Sequence, residues 1–139
     1  MIVVFDTNIW IFALREEAQW PACALLLNHL HQLKVVVPRQ VLRELQANLT
    51  PAEFRLLFQH LNLWPQQIQI SWDKANEQTI RKYLQLGCKL GDATVSAHLE
   101  ELQINFLISQ NRDFLEEIPN LPFERWNAER LLNHLLKEI

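Results

Sequence analysis

Apolar residues fall along this chain in two kinds of run. Ile2-Val3-Val4-Phe5, Val35-Val36-Val37 and Asn105 to Ile108 are short, nearly unbroken and rich in β-branched or aromatic side chains. Such runs predict strands buried on both faces. Elsewhere apolar residues recur at three- and four-residue steps, the spacing of one helix face. Asp6-Thr7-Asn8 breaks the first strand and caps a helix over Ile9 to Leu14. Trp20-Pro21 opens a long helix to about Leu33, carried by Ala24, Leu25, Leu27 and Leu30. After Pro38 a helix runs through Val41, Leu42, Leu45 and Leu49. Thr50-Pro51-Ala52-Glu53 is a capping box with proline at the first helical position, ahead of Phe54, Leu57, Phe58 and Leu61. Ile68 to Trp72 alternates, as an edge strand or an extended crossing segment does. Asp73 caps a helix to about Leu86 that Gly87 ends. A further helix covers Asp92 to Leu102, Phe123 to Trp126 is a candidate fourth strand, and Asn127 caps a last helix over Leu131 to Leu136.

Strands that alternate with helices predict an α/β fold, a central parallel sheet covered by helices on both faces. The length suits one domain over residues 1–139. Ligands of such sheets bind beyond the carboxyl ends of the strands. Asp6 lies there by sequence, as do Asn111 and Asp113 after Phe106-Leu107-Ile108. Glu44 and Asp92 stand on helices that can lean over the same edge. A carboxylate at the end of a buried strand costs desolvation energy unless water, a cation or hydrogen-bond donors offset it. Several such carboxylates point to one shared cation site. Mg²⁺ keeps several waters and takes only one or two carboxylates directly. Acids gathered around such ions make a site for in-line displacement at phosphorus. Asn8 and Ser109 are placed to orient waters or carboxylates around them.

Charge and composition narrow the choice. The apolar fraction is 49% and the charged fraction 21%, ordinary for a globular core. A net charge of −3 gives no global signature for nucleic acid, although a local patch suffices. Arg15, Arg39, Arg43, Lys89 and Arg112 lie close in sequence to the acids, as phosphate contacts or as solvated surface charge. With only Gly87 and Gly91, neither a Walker loop nor a dinucleotide fingerprint can be written. Cys23 and Cys88 fit no zinc spacing and read as core thiols. His29, His31, His60, His98 and His134 show no ligand spacing and read as surface or half-buried. Trp10, Trp20 and Trp64, near helix ends, read as core or interface packing. No secretory signal and no apolar stretch of about 18 residues is present, so the expected location is the cytoplasm, with no membrane partner.

Four pieces now stand in order: Val3-Val4-Phe5-Asp6-Thr7-Asn8; Val37-Pro38 with Val41-Leu42-Arg43-Glu44-Leu45; Gly91-Asp92-Ala93; and Leu107-Ile108-Ser109-Gln110-Asn111-Arg112-Asp113-Phe114. Together they make the chain resemble a PIN-domain ribonuclease of the VapC toxin-like group, over about positions 2 to 126. The resemblance implies Mg²⁺ or Mn²⁺, endonucleolytic cleavage of RNA, an antitoxin protein that blocks the site, and a homodimer. It makes Asp6, Glu44, Asp92 and Asp113 the metal-site acids. Asn8, Ser109 and Asn111 become supporting groups, and Arg43, Lys89 and Arg112 possible phosphate contacts. The family often sets two acids two residues apart after the last of these strands; here the pair is Asn111 and Asp113. An aspartyl phosphatase wants a second Asp at the position held by Asn8, and a phosphate-accepting receiver wants a Lys soon after Ile108. A degenerate domain that binds RNA or a partner without cutting is the remaining alternative, favoured only by Asn111.

Overall fold

A computed structural model describes residues 1–137, built around one five-stranded parallel sheet in the order β3-β2-β1-β4-β5. The strands are β1 (Ile2–Phe5), β2 (Lys34–Pro38), β3 (Ile68–Ser71), β4 (Phe106–Ile108) and β5 (Glu124–Trp126). Val3 pairs with Val35, Val4 with both Val36 and Leu107, and Phe5 with Ile108. The β-branched runs are therefore the central strands, with Val3, Val4, Phe5, Val35, Leu107 and Ile108 all fully buried. Ile68 to Ser71 is an edge strand, paired only with β2.

The helices are α1 (Thr7–Leu14), α2 (Pro21–Leu27), α3 (Arg39–Asn48), α4 (Pro51–Leu63), α5 (Glu77–Gln85), α6 (Leu90–Glu101) and α7 (Ala128–Lys137). α1 packs on α2 and α2 on α7; α5 packs on α6. α3 touches both α1 and α6. This is the α/β/α arrangement that the strand-helix alternation predicts. The order also places a topological switch between β1 and β4. From β1 the chain leaves toward β2 and β3, and it later returns on the other side as β4 and β5. Such a switch leaves a crevice at the carboxyl ends of its two strands.

Several boundaries differ from the periodicity. The helix expected to reach Leu33 stops at Leu27, and a 3₁₀ turn, Leu30–Gln32, follows. A continuous helix would carry the chain about 9 Å beyond Leu27. β2 instead has to start beside β1, where Lys34 N donates to Met1 O at 3.0 Å. Asp73 is not a cap. Asn76 caps α5, its side chain accepting from Gln78 N at 2.8 Å while its own N–H donates to Glu101 Oε1 at 2.8 Å. That last contact comes from the far end of α6, so tertiary structure selects the cap. α6 starts at Leu90, which places Asp92 in its first turn rather than at its head. A π-helical turn, Asp113–Glu117, occupies a stretch with no predicted element. Gly87 does end α5, at φ +106°, and Asn127 caps α7 by accepting from Arg130 N at 2.8 Å.

The capping box is formed as written in the sequence. Glu53 N donates to Thr50 Oγ1 at 3.2 Å, and Thr50 N to Glu53 Oε1 at 2.9 Å. Arg15 bonds the same Glu53 carboxylate and, with Thr50 N, holds it well below the usual range, at about 2. Thr50→Ala is expected to lower stability by about 1 kcal/mol, read as a shifted urea midpoint at unchanged slope.

Of the core or interface packing expected for Trp10, the structure shows the core: it is fully buried against Phe5. Histidine placement departs from the sequence in one place. His98 is buried in α6 rather than on the surface. Both cysteines are free and buried, as expected of core thiols.

Candidate active site

At the switch point the end of β1 meets the end of β4. Asp6 N donates to Ile108 O at 2.8 Å, which carries the β1–β4 pairing one residue past the strand. The Asp6 side chain is only 6% exposed, yet both of its oxygens have donors. Oδ1 accepts from Thr7 N at 2.9 Å, and Oδ2 accepts from the Ser109 hydroxyl at 2.8 Å. Ser109 Oγ in turn accepts from Asn111 N at 2.9 Å. Asn8 Oδ1 accepts from Gln110 N at 3.2 Å. These bonds tie the turn after β1 to the turn after β4 and fix the direction of the Asp6 carboxylate.

Glu44 on α3 and Asp92 on α6 lie near enough to Asp6 for their charges to raise it. A β-carbon added at Gly91 would stand 4.0 Å from Glu44 Oε1, so the two helices cross closely there. Gln40, one turn before Glu44, donates to Glu44 Oε1 at 3.4 Å. Thr7 Oγ1 is buried and helps keep Glu44 ionised, but it makes no hydrogen bond of full geometry. Asn111 Nδ2 donates to both Asp92 oxygens, at 3.3 and 3.5 Å, and Asn111 Oδ1 accepts from Asp113 N at 3.0 Å. Asp113 stands at the outer margin, with Lys89 Nζ 3.5 Å from its Oδ2.

The acids sense one another. Burial pushes Asp6 up to about 6, and the nearby Asp92 and Glu44 charges add to that against the Ser109 and Thr7 donors. Burial also raises Glu44, with Asp92 adding. Asp92 is raised by burial and then by Asp113, against Asn111 and Lys89. Three carboxyls that resist ionising beside one another are the expected signature of acids arranged for a cation.

Among the described residues no group of three or more His, Cys, Asp or Glu side chains stands close enough together to hold a metal ion. Mg²⁺ does not require one, since it is held through one or two carboxylates and keeps its waters. An all-oxygen donor set, open at the sheet edge and short of positive charge, fits a hard hydrated ion.

The remaining candidates divide. Lys89 faces the site through Asp113. Arg112 turns to Glu116 at 3.3 Å, and both are exposed. Arg43, beside Glu44 on α3, is exposed and lines a neighbouring cleft. Sequence reasoning gave no role to Thr7, Gln40, Gly91 or Gln110, although all but Gln40 stand in the four pieces. The chain's scarcity of glycine was the available signal for Gly91, and the one-turn step to Glu44 the signal for Gln40. Gln110 lies in the fourth piece, and its Oε1 accepts from Ala128 N at 2.9 Å at the head of α7, a contact no near neighbour encodes.

The PIN domain family matches residues 3–119. The chain belongs to the PIN domain family. Members of this family are generally nucleases that use divalent metal ions. The fold is similar to that of VapBC2 from Rickettsia felis, solved bound to a DNA fragment from their promoter. That match has a TM-score of 0.60 and 20% identity over 91% of this chain and 99% of the other. PAE2754 from Pyrobaculum aerophilum gives a TM-score of 0.59 at 15% identity, covering 99% of each chain. FitAcB from Neisseria gonorrhoeae gives 0.58 at 14% identity, covering 91% of this chain and 98% of the other. At these identities the likeness is one of fold. No curated protein matches the chain significantly. No helix among the described residues is long and apolar enough to cross a membrane.

Proposed function

We propose that this PIN domain, spanning the chain as a single unit, is a Mg²⁺- or Mn²⁺-dependent endoribonuclease, the toxin half of a toxin–antitoxin pair. The observation that carries the reading is Asp6, buried at the β1–β4 switch between donors from Ser109 and Thr7, with Glu44 and Asp92 close enough to raise it. Asp6, Glu44, Asp92 and Asp113 are the acids that would hold the ion. Bound there, Mg²⁺ or Mn²⁺ supplies a Lewis acid and makes water a better nucleophile near neutral pH. The chain's own part is orientation. Ser109 and Thr7 fix the Asp6 carboxylate, Gln40 steadies Glu44, and Asn111 steadies Asp92. Lys89 partly neutralises Asp113 at the margin, where a phosphate would arrive. Family membership supports RNA as substrate, a cytoplasmic homodimer, and a cognate antitoxin that covers this site.

The direct test is cleavage of mixed RNA by purified protein in Mg²⁺ or Mn²⁺ against EDTA, beside Asp6→Asn. Metal-dependent cutting that the variant lacks supports the reading. A folded protein that binds RNA but cuts in neither metal would instead make it a binding module. Asn111 also gives a graded prediction. Asn111→Asp adds a charge beside Asp92 and removes its amide donor. It is expected to tighten Mn²⁺ binding about tenfold, by calorimetric titration; an unchanged or weaker affinity would place Asn111 outside the ion's reach.

A further inference from the structure

Beside the acids lies a cleft of about 350 Å³ between α3, the start of α5 and the start of α6. It shares two walls with the site just described. Gln40 lines the cleft and bonds Glu44; Gly91 lines it and passes beside Glu44 Oε1. The lining carries three cations, Arg39, Arg43 and Lys74, against one carboxylate, Glu77. This is a reversal of sign in a chain whose net charge is −3. Helical spacing explains it. Glu44 is one turn from Gln40, while Arg39 and Arg43 are one turn from each other in the adjacent column. A single helix thus presents an acid to the cluster and two guanidinium groups to the cleft.

These cations are not spent on internal pairs. Arg43 and Lys74 have no carboxylate partner among the described residues. Arg39 uses one N–H on Trp72 O at 3.2 Å, which anchors the head group and leaves other donors of the guanidinium available. A cluster of acids repels a polyanion, so a strand that reaches it needs cations close by to hold its flanking phosphates. Neighbouring phosphates of one strand are a nucleotide apart, and the cleft shares Gln40 and Gly91 with the surroundings of Glu44.

Resting on the nuclease reading, we propose that this cleft is a phosphate subsite for the RNA strand next to the bond to be cut, with Arg43 and Lys74 as its contacts and Arg39 as its anchored base. Phosphate binding by exposed cations supplies affinity and register rather than chemistry. The test is the double variant Arg43→Gln with Lys74→Gln, beside Lys34→Gln with Arg55→Gln, exposed cations that do not line the cleft. The probe is a fluorescein-labelled single-stranded RNA of mixed sequence, titrated in EDTA and followed by anisotropy, then cleaved in Mn²⁺. The cleft variant is expected to bind about tenfold more weakly, with a salt slope shallower by about 1.4 for two lost phosphate contacts. Its KM should rise about tenfold while kcat stays within about twofold, and its urea midpoint should not move. Equal losses in the control pair, or unchanged affinity and slope in the cleft variant, would overturn the subsite while leaving a cutting wild type as a nuclease. Loss of affinity for an acidic protein partner without loss for RNA would overturn it too. A wild type that binds through the cleft but never cuts would keep the cleft and sink the nuclease reading.

Discussion

Asp6→Asn, Glu44→Gln and Asp92→Asn are each expected to reduce RNA cleavage by about a hundred- to a thousandfold or more, with the fold intact. Each removes one negative charge from acids that raise one another. Stability separates this role from capping, and Asp6 gives the sign. Its carboxyl is raised from 3.8 to about 6 in the folded protein. The metal-free native state therefore holds this proton more tightly than the unfolded chain does. The Asp6 contribution to stability should be greatest below about pH 4, fall between about pH 4 and pH 6, and level off above. The full penalty is at most about 3 kcal/mol. Asp6→Asn abolishes it, but leaves one acceptor oxygen for the two donors, Thr7 N and Ser109 Oγ, at a cost of about 1 kcal/mol. In EDTA at about pH 7.5 the variant should thus be more stable than wild type by about 1–2 kcal/mol, and less stable than wild type at about pH 4. Urea unfolding at the two pH values measures both. A variant destabilised equally at both would make Asp6 a structural cap.

Trp10→Ala is expected to cost about 3–5 kcal/mol, a large part of the stability of a domain this size. Trp10 is fully buried, with its ring centroid 5.3 Å from that of Phe5. It lies one turn into α1 and packs on Phe5, so the void opens next to the strand end that carries Asp6. Its Nε1 is buried without a hydrogen-bond partner. Trp10→Phe fills much of the space and removes that orphan donor, so its cost should be only about 1–2 kcal/mol. Denaturant midpoints of the two variants decide the matter. A cost below about 1 kcal/mol for the alanine variant would mean that the site collapses freely and that Trp10 does not set the packing next to that strand end.

The two classes of apolar run were legible because burial on both faces leaves a strand no polar positions. Ile2 to Phe5 and Val35 to Val37 could only be central, and they are. Thr50 with Glu53, and Gly87 at positive φ, were legible because caps act within a few residues. The same locality explains the errors. Asp73 and Asn76 are both competent caps, and the choice was made by Glu101, 25 residues away. The break after Leu27 follows from where β2 must begin, which no residue of α2 encodes.

For the candidate site, residue type and order were readable: acids after two strand ends and on two helices. Their convergence was not. Ser109 meets Asp6 across 103 residues, and Asn111 meets Asp92 across 19. Helical phase turns Glu44 toward Asp92 and Arg43 away from it into the cleft. What the sequence by itself determined is every property set by near neighbours: strands, caps and the stock of acids. Only the tertiary structure decided which charges share a low-dielectric crevice and which share an open basic cleft, because electrostatic energies depend on distance and burial, which the fold sets by bringing remote strand ends together.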